Sequence, residues 1–144
     1  MYFEQYHPGQ QWQVEPFVVS REQIIDFSLA YDPLPIHLDE DFAKSSRFGS
    51  LIASGPLSFM LLWSRYMQGD VNFDEGLIAG MRNGMEFLAP VRPGDRLHGT
   101  VTVTGCEQRN AYNGAVHFEL QGFNQNDEQV LGGFVVACFA RVGQ

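Results

Sequence analysis

Asp32 and His37 lie five residues apart in Tyr31-Asp32-Pro33-Leu34-Pro35-Ile36-His37-Leu38. A carboxylate and an imidazole are the usual side chains for moving protons near neutral pH. Two prolines around Leu34 stiffen the segment, so the pair has little freedom left to lose when both groups act together. A second chemically useful feature is Ser54-Gly55-Pro56, at the head of a long apolar run. The first turn of a helix leaves N–H groups unpaired, and its dipole favours an anion. Pro56 has no N–H and Gly55 has no Cβ to obstruct an approaching oxygen, so Gly55 is the expected donor to a developing oxyanion, with the Ser54 side chain assisting. The competing reading is structural: Asp before Pro is a common turn residue, and a lone His in an apolar loop is commonly a packed one.

Positioning these groups requires a helical first half and a strand-rich second half. Trp12 to Val19 alternate loosely and end at Ser20-Arg21-Glu22-Gln23, a capping box, which predicts a short helix from Arg21 to Ala30 stopped by Asp32-Pro33. Residues 31–38 are expected to be an extended loop that joins no helix. Asp39, Glu40 and Asp41 place three acids at the start of another short helix, where the dipole favours them. Asp39 is read there as a helix-start acid and not a catalyst. From Ser54, read as a cap residue, to Gly69 runs the most strongly patterned helix, apolar on nearly every side through Phe59, Met60, Leu61, Leu62, Trp63, Tyr66 and Met67, and therefore buried.

From Leu77 the period becomes two. Leu97 to Thr104 alternates, Val116 to Leu120 alternates after the turn-forming pair Asn113-Gly114, and Val130 to Val142 is apolar on both faces. With Gly76 to Leu88 and the N-terminal run, these make an α+β arrangement, an antiparallel sheet curled round one long hydrophobic helix. His98 and His117 fall at polar-phase positions and are expected at the surface.

The chain has 144 residues, 44% hydrophobic and 18% charged, and is expected to form one domain over residues 1–144. Its net charge is −8, and its nine basic residues are scattered, which argues against nucleic acid as a partner. No apolar run approaches the roughly 18 to 20 residues of a membrane span, and no export signal is seen, so a cytoplasmic location is expected. Cys106 and Cys138 lie in strand-like runs without Cys-x-x-Cys or His-pair spacing, which predicts buried thiols and no metal site. The doubly apolar run near Phe134 to Phe139 suits subunit packing and predicts a homodimer.

Three motifs in order resemble the MaoC-like dehydratases and (R)-specific enoyl-CoA hydratases of the hot-dog fold. They are Ala30-Tyr31-Asp32 followed by Pro33-Leu34-Pro35-Ile36-His37-Leu38-Asp39, then Ile52-Ala53-Ser54-Gly55, then Phe87-Leu88-Ala89-Pro90-Val91-Arg92-Pro93-Gly94-Asp95. Two positions depart from the family pattern: Leu34 stands where Asn is common and Ser54 where His is common. The resemblance implies a hot-dog fold and a lyase that adds water to a 2-enoyl thioester, or removes it, with Asp32 and His37 gripping the reacting water and Gly55 facing the thioester oxygen. It further implies substrate contacts at Ser54, Leu34 and Pro35, an acyl-CoA partner, no separate cofactor because coenzyme A belongs to the substrate, and a homodimer. Arg47, Arg65, Arg82 and Arg92 are the reservoir for holding its phosphates. A hot-dog thioesterase is the alternative enzyme, although residues 55–69 contain no Asp or Glu. A non-catalytic acyl-thioester-binding subunit is the alternative from another class, since Leu34 and Ser54 replace family residues.

Overall fold

The computed structural model describes residues 1–143. Five antiparallel strands form one sheet: β1 (Gln11–Val18), β2 (Leu77–Phe87), β3 (Arg96–Gln108), β4 (Asn113–Phe123) and β5 (Gln129–Ala140). Their spatial order is β1-β3-β4-β5-β2, so β1 and β2 are the edges. Pro16, which cannot donate to a ladder, sits on edge strand β1, where the pairing slips between Val14 and Phe17.

Among the described residues there are four α-helices, α1 (Arg21–Tyr31), α2 (Pro35–Leu38), α3 (Glu40–Lys44) and α4 (Gly55–Met67), and a 3-10 turn at Phe3–Gln5. The capping box of α1 forms as expected, with Gln23 N–H donating to Ser20 Oγ and Ser20 N–H to Gln23 Oε1. Asp39 caps α3, its carboxylate accepting from the Asp41 and Phe42 N–H groups. An Arg21–Glu40 ion pair ties α1 to α3.

Helix α4 is the centre of the core. Leu62 and Phe59 are fully enclosed, and Trp63 and Tyr66 stack at 5.2 Å within a ring cluster that includes Phe73, Phe118, Phe139 and Tyr6. Burial pushes the phenols of Tyr6 and Tyr66 up. The helix is less enclosed than its sequence predicts, because Pro56, Met60 and Arg65 remain exposed. The α+β hot-dog arrangement is otherwise the expected one.

Two expectations of secondary structure fail. Residues 35–38 form a helical turn where a loop is expected, because Pro35 occupies the first helical position, where its fixed φ fits and its missing N–H costs nothing. Asn113-Gly114 is no turn but the start of β4. The chain reverses at residues 110–112, with Asn110 Oδ1 accepting from the Tyr112 and Asn113 N–H groups, so one asparagine side chain replaces the turn chemistry of the Asn-Gly pair.

His98 and His117 face outward beside Asp127 (2.9 Å) and Glu107 (3.4 Å). Cys138 is buried as expected, whereas Cys106 is only half-buried, with its thiol pushed up by desolvation. Among the described residues no helix is long and apolar enough to cross a membrane.

Candidate active site

Helix α1 delivers Asp32 at its carboxyl end: the Asp32 N–H still donates to Ser28 C=O, and the Asp32 carbonyl accepts from Leu34 N–H. Proline 33 ends the helix by pushing Asp32 out of the α region. Helix α2 then carries His37 back toward Asp32. The third component is the strand-like segment 51–53, pinned on one side by Ile52 N–H to Ile36 C=O and on the other by Ala53 N–H to Val91 C=O. Val91 belongs to the Pro90–Asp95 segment, whose Gly94 adopts a left-handed φ of +87° that glycine takes without strain. Reciprocal bonds between Val19 and residues 94 and 95 anchor this segment to the end of β1.

These elements bring four groups together. His37 Nδ1 lies 2.7 Å from Ile52 C=O, and because a carbonyl only accepts, Nδ1 carries a hydrogen there. Nε2 is thereby aimed at Asp32 Oδ2, 3.3 Å away. The Ser54 hydroxyl donates to the same Oδ2 at 2.7 Å. Neither contact involves Asp32 Oδ1, and the Asp32 side chain is 30% exposed against 8% for His37. The site therefore consists of a buried, oriented imidazole and a carboxylate with one oxygen held and a surface still open to a small molecule.

A cavity of about 340 Å³ adjoins His37, with walls that include Phe48, Gly55, Ser58, Phe87 and Leu131. Of the predicted residues, His37 and Gly55 line it. Asp32 and Ser54 are not among its lining residues and contact each other. Leu34 and Pro35 are not among its lining residues, and Leu34 is half exposed. The geometry thus does not place Leu34 and Pro35 at the cavity where the resemblance expects substrate contacts.

Ser54 also departs from its expected role. It occupies the cap position of α4, yet its side chain makes no capping bond, because the hydroxyl is spent on Asp32. The first N–H groups of α4 are left without a side-chain acceptor. Gly55 has a further use: a Cβ there would meet the Phe87 ring at 2.4 Å, so the ring fills the space that a larger residue would take.

The arginine reservoir is dispersed. Arg92 is committed to the cavity wall, donating to Phe48 C=O and Ser50 Oγ. The Arg47, Arg65 and Arg82 guanidiniums lie over the rings of Phe48, Phe17 and Phe134. Among the described residues no cluster of three or more His, Cys, Asp or Glu is arranged for a metal ion.

Residues 3–121 match the family model of the MaoC like domain. The chain belongs to the MaoC-like family. It is 33% identical over 104 residues, 72% of its length and 70% of the relative's, to an (R)-specific enoyl-CoA hydratase of Rhodospirillum rubrum. It is also 27% identical over 133 residues, 92% of its length and 94% of the relative's, to the uncharacterized protein YdeM of Bacillus subtilis. Among solved structures, the MaoC-like dehydratase from Rhodospirillum rubrum superposes with a TM-score of 0.88 at 26% identity, covering 100% of this chain and 99% of that one. A monoamine oxidase regulatory protein from Archaeoglobus superposes with a TM-score of 0.92 at 28% identity, covering 99% and 95%.

In this MaoC-like protein, sequence reasoning missed Phe48, Ser58 and Phe87 as cavity walls. Phe87 carried a signal, as the first residue of the third motif. Ser58 carried one too: a hydroxyl in the apolar face of α4, four residues after Ser54.

Proposed function

We propose that this MaoC-like protein adds water across the C2–C3 double bond of a 2-enoyl thioester of coenzyme A, or removes it from the 3-hydroxyacyl thioester. The observation that carries this reading is the 3.3 Å approach of His37 Nε2 to Asp32 Oδ2 beside a cavity that His37 and Gly55, at the amino end of α4, both line. The sequence likeness to an (R)-specific enoyl-CoA hydratase supports it.

Water held between Asp32 and His37 is deprotonated by the pair as its oxygen bonds to C3. The π electrons move toward the thioester, and the enolate-like oxygen is stabilised by Gly55 N–H and the α4 dipole. The pair returns a proton to C2 on the same face, so that one water is consumed and no other reactant is needed. Orientation of His37 by Ile52 C=O and of Asp32 by Ser54 removes the freedom that such a concerted transfer would otherwise have to freeze.

Helix α4 carries no carboxylate between Gly55 and Met67, which leaves a thioesterase without a base or nucleophile on that helix. The protein is further proposed to act as a homodimer, since edge strand β2 exposes Ile78, Met81 and Phe87. Light scattering at working concentration should give twice the chain mass, and a monomer contradicts this part.

The deciding experiment follows the loss of enoyl-thioester absorbance with crotonyl-CoA and 2-hexenoyl-CoA. Wild-type turnover should fall by about 100-fold or more in Asp32→Asn and His37→Ala proteins that keep their folded circular dichroism. Full activity in either variant overturns the assignment. Binding of acyl-CoA without turnover points instead to a binding subunit.

A further inference from the structure

Ser58 stands one turn beyond Ser54 on α4 and forms part of the wall of the cavity that His37 and Gly55 also line. It is 3% exposed, and its hydroxyl has no hydrogen-bond partner. A serine inside a helix commonly points to solvent or returns a hydrogen bond to the carbonyl four residues back. Here the Ser54 carbonyl accepts the Ser58 backbone N–H at 3.3 Å, and Oγ makes no such bond. The two serines differ accordingly: the Ser54 hydroxyl is committed to Asp32, whereas the Ser58 hydroxyl is committed to nothing.

A buried hydroxyl without a partner is a standing cost, and apart from His37, whose Nδ1 is bonded to Ile52 C=O, the other residues lining the cavity offer no polar side chain to relieve it. Because no bond is lost, Oγ can turn about χ1 to meet a polar atom in the cavity at the cost of a rotamer change alone. Gly55 and Ser58 are separated by a helix rise of about 4.5 Å. If the thioester oxygen lies on Gly55 N–H, Ser58 stands a few bonds along the acyl chain, past C3. The cavity volume equals about eleven waters at about 30 Å³ each, which accommodates a short or medium acyl chain and not the coenzyme A moiety.

We propose that Ser58 recognises an oxygen on the acyl chain itself, so that the preferred substrate is an enoyl thioester bearing a hydroxyl or oxo group at C4 or C5. This rests on the hydratase reading of the same site. In the complex the Ser58 hydroxyl gains its missing partner, and a plain hydrocarbon chain leaves it orphaned. Selection arises from that difference, because a site built to bond a polar group discriminates against the analogue that lacks it.

The test measures binding by calorimetry with two unreactive saturated probes, 5-hydroxyhexanoyl-CoA and hexanoyl-CoA, on wild-type and Ser58→Ala protein. The wild type should bind the hydroxylated probe about tenfold more tightly, and Ser58→Ala should erase the gap. The variant should melt at the wild-type temperature or above it, because alanine favours the helix and removes an unpaired hydroxyl. Equal affinity of the wild type for both probes overturns this inference and leaves the hydratase reading standing. A gap that survives in Ser58→Ala overturns it too, as does a marked fall in melting temperature, which would reveal an internal partner for the hydroxyl. Failure of both probes to bind removes the thioester reading together with this inference.

Discussion

The Ser54 hydroxyl donates to Asp32 Oδ2 at 2.7 Å across twenty-two positions of sequence. The oxygen that it holds is the one facing His37 Nε2, so one buried serine sets the orientation of the acid relative to the imidazole. Ser54 is completely buried, and removing its hydroxyl leaves the carboxylate free to turn. A hydrogen bond to a charged group contributes about 1.5–3 kcal/mol, so Ser54→Ala is expected to lower kcat by about tenfold or more, with KM changing little. Ser54→Thr, which keeps the hydroxyl, should recover most of the rate. Steady-state kinetics on the three proteins check this, and equal losses in Ala and Thr variants would show that packing and not the hydrogen bond matters.

A second prediction concerns Gly55 and Phe87. A Cβ at residue 55 collides with the ring, but Phe87 is half exposed and can swing outward. Gly55→Ala should therefore fold, with a melting temperature within a few degrees of wild type, and with KM for an enoyl thioester raised several-fold as the displaced ring reshapes the cavity. Phe87→Ala removes the collision. The double variant should consequently be less impaired than the sum of the two single losses, a non-additivity expected of residues in contact.

A third prediction uses pH. The Glu4 carboxylate accepts from Arg141 Nε at 2.8 Å and Val142 N–H at 3.0 Å, and the Arg141 guanidinium holds its carboxyl below the ordinary value of 4.5. A depressed carboxylate stabilises the folded state above its unfolded value and loses that contribution as pH falls through its folded value. Protection of the Val142 amide from hydrogen exchange, corrected for the intrinsic rate, should persist on acidification to about 4.5 and disappear below it. Glu4→Gln should show the unprotected behaviour already at neutral pH.

Much of the fold was legible because its signals are periodic or local. The apolar run of α4, the alternation of Leu97 to Thr104 and the capping box at Ser20 each depend on neighbours in sequence, and each forms as expected. The errors come from side chains whose partners are decided elsewhere. Pro35 breaks a helix interior but fits a first turn, and which of the two it meets depends on where the chain around Leu34 turns. Asn113-Gly114 has the composition of a turn, but Asn110 reaches the backbone first.

At the site, the pairing of Asp32 with His37 was legible from the motif and their spacing. The bond from Ser54 was not, since it exists only once segment 51–53 is clamped between Ile36 and Val91. The resemblance implies a substrate contact at Leu34, yet its side chain is half exposed and is not part of the cavity wall.

The absent cap of α4 sets the terms for anyone wishing to make this protein more heat-tolerant. A side chain at residue 54 that served its own helix would contribute about 1 kcal/mol. Aspartate there sets a second, buried negative charge beside Asp32 and costs more than the cap returns. A screen for melting temperature alone, blind to turnover, therefore favours asparagine, which removes the hydroxyl from Asp32. Robustness and chemistry compete for a single side chain, and the native serine is the compromise that keeps the chemistry.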